Sequence, residues 1–213
     1  MVINIIFISL ANYSGRMRIG VIAIQGNVEE HFNAMRRALD RAGEEAEVIK
    51  IKHIGLVLTC DALILPGGES TTLGRLMEKE GLSEEIRKAA HEGIPIMGTC
   101  AGLVLLAKKG DELVKKTGQP LLSLMDITVN RNAFGRQKES FECLVDFKGL
   151  GSPFNAVFIR APSITGFGKN VEVLSEYNGV IIAARQKNLL ALAFHPELTD
   201  DPRIHHYFLK MIG

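Results

Sequence analysis

Residues Ile94 to Lys109 read IPIMGTCAGLVLLAKK. The opening IPIM is short and apolar, which predicts a buried strand over 94–97. AGLVLLAKK predicts a helix over 101–109. Between them stands Gly98-Thr99-Cys100-Ala101-Gly102, a G-x-C-x-G pattern. A strand-to-helix turn of this kind is sharp and strained, and flanking glycines leave room for it. Strand, tight turn and helix in that order are one unit of an α/β fold.

The segments on either side extend the alternation. Upstream, 18–24 predicts a buried strand, and Gln25-Gly26-Asn27 a turn. Val28, Phe32, Met35, Leu39 and Ala42 then share one helical face, and Gly43 is a natural stop. AEVIKI (46–51) and ALIL (62–65) predict further strands, the second ending at Pro66-Gly67-Gly68. Helices are expected over 71–80 and 83–92, with Ser83 capping the second. This βαβ alternation implies a three-layer α/β fold: an open, mixed, mainly parallel sheet with helices on both faces. Downstream, strands are expected at 124–130, 141–147, 156–160, 171–175, 179–184 and 189–194. Little helix separates them, so some antiparallel pairing is expected there. A closing helix is expected over 202–212.

The 213 residues suit one domain, expected over 17–213. Residues 1–16 are expected to be an extension or a start-site artefact, because MRIGVIAI opens the strand pattern at Met17. VINIIFISL (2–10) is apolar but short, and no Lys or Arg precedes it, unlike a secretory signal. Net charge is +1, which gives no sign of a nucleic-acid or membrane-surface partner. No apolar run reaches the roughly 18 residues of a membrane span. Cys60, Cys100 and Cys143 are widely spaced and odd in number. They fit neither a disulfide framework nor a zinc site, and point to a reducing, cytoplasmic compartment.

The chemistry centres on Cys100. A nucleophile elbow places its reactive atom at the C-terminal edge of the sheet, where open α/β sheets put their sites. The helix N-terminus beyond it favours a thiolate, the nucleophilic form. Cys60 and Cys143, outside any motif, read as small buried hydrophobes. His195-Pro196-Glu197 follows the apolar run LLALAF. In extended chain, residues two apart project to the same side. Glu197 can therefore fix the tautomer of His195 and stabilise its charged form, which completes a nucleophile–base–orienter triad. His31, His53, His91, His205 and His206 read as structural. Attack on an amide carbonyl also needs N–H donors for the oxyanion. The glycine loop at Gly68 and the main-chain N–H of Ala101 are the candidates.

With these elements in place, the chain resembles the class I (triad) glutamine amidotransferases, whose fold is flavodoxin-like. More narrowly, it resembles the glutaminase subunits of pyridoxal 5′-phosphate synthase. The resemblance runs from about Met17 to Gly213. It rests on Gln25-Gly26-Asn27 with Glu30-His31, LPGGESTT (65–72), GTCAGL (98–103), RNAFGRQ (131–137) with Ser140-Phe141-Glu142, IRAP (159–162) and HPELTD (195–200). Val104 departs from the Gln usual in the wider class and agrees with the narrower family. The resemblance implies hydrolysis of L-glutamine by Cys100, His195 and Glu197. It implies a substrate pocket of Gly68, Glu69, Ser70, Arg131, Ile159 and Arg160. Arginine suits the substrate α-carboxylate, and Glu69 its α-ammonium group. It further implies no cofactor and no metal, and a (β/α)₈-barrel synthase partner in a large hetero-oligomer that receives the ammonia. Activity is expected to be low until that partner docks, on a surface including the loop at Gln25 and Asn27.

Three other readings compete. An amidotransferase subunit serving another synthase would lack RNAFGRQ. A glutamine-binding module would need no triad. A general hydrolase or peptidase sits poorly with the two arginines and the absence of Trp.

Overall fold

The computed structural model describes residues 16–131 and 140–213. Nearly all of the expected N-terminal extension, and Asn132 to Gln137 of RNAFGRQ, lie outside the described residues.

The described elements in chain order are β1 (Met17–Ile22), α1 (Val28–Ala42), β2 (Ala46–Ile51), β3 (Ala62–Leu65), α2 (Ser70–Lys79), α3 (Leu82–His91), β4 (Ile96–Thr99), α4 (Ala101–Leu106), β5 (Ala107–Lys109), α5 (Glu112–Thr117), β6 (Met125–Asn130), β7 (Phe141–Val145), β8 (Phe154–Phe158), β9 (Ser163–Phe167), β10 (Glu172–Tyr177), β11 (Val180–Gln186), β12 (Leu189–Leu192) and α6 (Arg203–Leu209). The main sheet runs β2-β1-β3-β4-β12-β11-β9-β6-β5, with β10 added to β11. The pairs among β2, β1, β3, β4 and β12 are parallel. Beyond β12 the sheet turns antiparallel through β11, β9 and β6, and β5 pairs parallel with β6. β7 and β8 form a separate antiparallel pair.

This order positions the helices. The chain moves one way across the sheet from β1 to β2, and the other way from β3 to β4. Right-handed crossovers in opposite directions put their helices on opposite faces. So α1 covers one face, joined by α6, and α2 and α3 cover the other, joined by α4. The point of reversal lies between β1 and β3. Sheets of this kind open a crevice there, at the carboxyl ends of their strands. Every residue of β3, β4 and β12 is buried, as covered parallel strands require.

Several expectations change in detail. The helix expected over 101–109 ends at Leu106, because Ala107 turns extended and its strand pairs with β6. The strand expected over 94–97 begins two residues later and includes Thr99. The buried face of α1 is His31, Ala34, Met35, Ala38 and Leu39, rotated from the expected stripe, with Ala42 exposed. Ser83 is buried and does not cap α3; Gly81 stands at that position in a left-handed conformation. β9 and α5 were not foreseen. Among the described residues, no helix is long and apolar enough to cross a membrane.

The elbow depends on the absence of side chains at its glycines. A Cβ at Gly102 would stand 2.2 Å from the Leu65 carbonyl oxygen, and one at Gly98 2.6 Å from the Gly102 carbonyl carbon. Both obstacles are backbone and cannot move aside. Gly102→Ala is therefore expected to lose about 2–3 kcal/mol of stability in urea denaturation. Gly166→Ala is the control. Its Cβ would meet Thr128 at an ordinary 3.6 Å, and a change within about 0.5 kcal/mol is expected.

Candidate active site

Four neighbouring parallel strands, β1, β3, β4 and β12, send their C-terminal loops to one edge of the sheet. These loops carry Gln25–Asn27, Pro66–Ser70, Cys100 and His195–Glu197 respectively. The topology thus gathers residues up to 170 positions apart, such as Asn27 and Glu197.

Cys100 sits at φ 48°, ψ −99°, an unfavourable backbone conformation for a residue with a side chain. Its N–H donates to Leu192 O on β12, and its carbonyl accepts the first helical hydrogen bond from Val104 N–H. The turn is therefore held at both ends. Its Sγ lies 3.9 Å from the main-chain carbonyl of Ile159. Gly67 packs between this residue and the histidine: a Cβ there would stand 2.5 Å from His195 Cε1 and 3.5 Å from Cys100 Cβ.

His195 and Glu197 meet, but not by strand alternation. β12 ends three residues before His195, and Pro196–Leu198 form a 3-10 turn. Proline opens that turn, where its missing N–H costs nothing. The turn brings Glu197 Oε1 to 2.7 Å from His195 Nδ1. Asn27 Nδ2 donates to the same oxygen at 3.2 Å. Burial opposes a charge on either group. For His195, the Cys100 sulfur, the hydrogen bond to Glu197 and that carboxylate's charge outweigh burial and raise its pKa to about 10. For Glu197, the proximity of His31 and the bond to His195 outweigh burial and hold it at about 2. At neutral pH the pair is imidazolium and carboxylate. Nε2 of His195 is buried, with no hydrogen-bond partner among the described residues.

Cys100 opens into a cleft of about 370 Å³. The cleft is lined by Gly68, Glu69, Ser70, Ala101, Arg131 and Arg160, among others. Of the expected substrate residues, only Ile159 is not part of this lining; it meets the thiol through its carbonyl. The N–H of Ala101, at the first position of α4, has no carbonyl one turn back within the helix. Arg131 reaches Thr71 Oγ1 at 2.8 Å and also bonds Gln119 Oε1. Arg160 is exposed, at φ 46°. Glu69 has a second task. It caps α2, with its carboxylate accepting from Thr71 N–H at 3.0 Å and Thr72 N–H at 2.7 Å.

Residues 21–213 match the model of the SNO glutamine amidotransferase family. The chain belongs to that family. The chain is 64% identical, over 196 residues, to the pyridoxal 5′-phosphate synthase subunit PdxT of Methanocella arvoryzae, with 92% of this chain and 98% of that protein covered. It is 57% identical over 195 residues to the protein of the same name from Archaeoglobus fulgidus, with the same coverage. A crystal structure described as a glutamine amidotransferase superposes with a TM-score of 0.81 at 44% identity, covering 92% of this chain and 98% of that one. The structure of PurLQS from Thermotoga maritima shares the fold, with a TM-score of 0.61 at 18% identity and coverage of 93% and 99%.

In this amidotransferase the fold brings to the site four residues that the sequence reading did not single out for it. Asn27, read as part of a turn and of the expected docking surface, bonds Glu197. His31, read as structural, is buried with its Nε2 2.8 Å from Thr99 Oγ1 and 3.4 Å from Glu197 Oε2. Thr99 directly precedes Cys100. Gln119 accepts from Ser70, Thr71 and Arg131 through one oxygen. The signal for His31 was present in part: it falls in helical register with Ala34, Met35 and Ala38, so a polar group was facing the core. No signal marked Gln119.

The cap at Glu69 has a pH signature. Burial would raise its pKa, but the Thr72 hydroxyl and the N–H groups of Thr71 and Thr72 outweigh that and lower it from 4.5 to about 2. A lowered folded-state pKa gives stability that is present above pH 4.5 and lost as pH falls toward 2. Glu69→Gln should remove that part of the acid slope in denaturation curves measured across this range. Glu69→Ala should cost about 1 kcal/mol at neutral pH.

Proposed function

We propose that residues 17–213 form one glutaminase domain, and that it hydrolyses L-glutamine to L-glutamate and ammonia for pyridoxal 5′-phosphate synthesis. One observation carries the reading: a cysteine on a strained elbow opens into a cleft bearing two arginines, with an imidazolium–carboxylate pair packed against the same glycine. One continuous core from Ile19 to Phe208 supports the single domain. The names of the relatives support the pathway.

Glutamine enters with its α-carboxylate toward Arg131 and Arg160, since guanidinium pairs with carboxylate in a fork. Its α-ammonium group faces Glu69, which stays ionised across the working range, and Ser70 lines the same pocket. The Cys100 thiolate attacks the side-chain amide carbon. Negative charge moves to the carbonyl oxygen, where the N–H groups of Gly68 and Ala101 receive it; one such donor is typically worth about 2.7–4 kcal/mol. His195, held as imidazolium by Glu197, gives its Nε2 proton to the departing nitrogen. The C–N bond breaks, ammonia leaves, and a γ-glutamyl thioester remains on Cys100. Neutral His195 then takes a proton from water, the hydroxide attacks the thioester, and glutamate departs with the thiolate restored. The reaction needs neither a metal nor a cofactor.

The ammonia passes to a partner synthase subunit, a (β/α)₈ barrel, within a hetero-oligomer in the cytoplasm. Gln25 and Asn27 belong to the docking surface. Gln25 Oε1 accepts from Glu69 N–H at 3.2 Å, and Asn27 N–H donates to Gly67 O at 3.1 Å, so pressure on this loop reaches the oxyanion loop.

A glutaminase assay, with and without the synthase subunit, tests the reading. The parent chain should release ammonia slowly alone and at least about tenfold faster with the partner, a modest gain for completing an oxyanion site. Cys100→Ser should abolish turnover in both states. Activity that survives the substitution would remove Cys100 from the chemistry, and full activity without synthase would remove the activation.

A further inference from the structure

Behind the pair formed by His195 and Glu197 lies a second imidazole that the mechanism above does not use. His31 opens the buried face of α1, one turn into the helix, and is fully buried. Its Nε2 lies between two oxygens, Thr99 Oγ1 at 2.8 Å and Glu197 Oε2 at 3.4 Å. Glu197 Oε1 is already taken by His195 and Asn27. Oε2 is buried and makes no hydrogen bond among the described residues; the 3.4 Å approach of His31 is an ion-pair-distance contact. A carboxylate oxygen can only accept, so the nitrogen facing it must carry the proton. That leaves Nδ1, also buried and without a partner among the described residues, as a bare acceptor. A buried orphan acceptor is tolerated better than a buried orphan N–H. The tautomer is therefore Nε2–H, hydrogen-bonded to Thr99 Oγ1 and facing Glu197 Oε2.

We propose that His31 is a positioning residue of the triad: its Nε2–H holds the second oxygen of Glu197 and the residue preceding Cys100 in one arrangement. This rests on the glutaminase reading of Cys100, His195 and Glu197. The carboxylate is thereby clasped between two imidazoles. One carries the reaction proton; the other keeps the carboxylate from rotating and ties it to the elbow. The charge state of His31 suits this role. Burial lowers its pKa, against the opposing pull of Glu197, so it stays a neutral donor. The other titratable groups around it are His195, Glu30 on its own helix, and His205 on α6. His205 is buried and, chiefly through burial, lowered to about 3, so it too is neutral.

Two measurements on three variants test the proposal. His31→Leu removes the donor, His31→Gln returns an N–H at the place of Nε2, and His31→Asn is too short to reach it. In the free chain, the Glu197 side-chain carboxyl carbon is titrated by NMR. Loss of a donor to the charged form raises a carboxylate pKa. An upward shift of about one unit is expected in His31→Leu and His31→Asn, with the parent value regained in His31→Gln. In the complex with synthase, kcat for glutamine hydrolysis should fall about 10- to 100-fold in His31→Leu, the scale of a misplaced catalytic group. KM should change little, since His31 does not reach the cleft, and the acid limb of the pH profile should move up with Glu197. His31→Gln should recover most of kcat. If His31→Leu does not fold, the comparison of Gln with Asn decides. Equal behaviour of Gln and Asn, or parent-like titration and kcat in folded His31→Leu, would overturn the proposal. The titration does not involve glutamine, so a parent complex without glutaminase activity would sink the functional reading while the role of His31 was still decided.

Discussion

The site depends on keeping one carboxylate ionised inside the protein. Glu197 is 3% exposed. Burying an unpaired charge is prohibitive, and removing one partner from a buried pair typically costs about 3–5 kcal/mol. Glu197 therefore needs compensation, and the fold supplies it from three directions. His195 approaches through its own 3-10 turn, Asn27 from the loop after β1, and His31 from α1. Each partner fixes a different element relative to the others. The electrostatic requirement of a single group thus sets the relative placement of β12, β1 and α1. His195 is in turn shifted toward its charged form by this carboxylate.

Sheet topology makes that placement possible. β1, β3, β4 and β12 are adjacent and parallel, so their carboxyl ends coincide. The chain reverses its direction of progress between β1 and β3, and helices leave that edge uncovered. The separation between the facing loops is set by close backbone approach. Gly102 lies against Leu65 O, and Gly67 lies beneath His195, with no space for a side chain at either position. The strained backbone at Cys100 persists because hydrogen bonds to β12 and to α4 fix both of its ends.

Much of this was legible in the residues. Gly98 to Gly102 announced an elbow because the turn can form only with small residues at those positions. His195-Pro196-Glu197 announced an orienting pair, although the local geometry is a turn and not the extended chain that the spacing suggested. Glu69, expected to meet the substrate, caps α2, a task that composition cannot reveal. The end of α4 and the start of β5 were misread because AKK has helical propensity, and a pairing with β6 overrides it. β9 was missed because SITGF carries no clean alternation and acquires its neighbours only from β6 and β11.

The sequence by itself determined the local chemistry: a cysteine framed by glycines between strand and helix, a histidine two residues from a glutamate, and a glycine loop after a strand. These are short-range patterns, set by steric limits that act within a few residues. Only the tertiary structure decided which distant groups complete the site. Asn27, His31, Thr99 and Gln119 are ordinary in their local context. They gain their contacts because a parallel sheet places strand ends side by side, and because a buried carboxylate and a half-buried arginine find partners wherever the fold provides them.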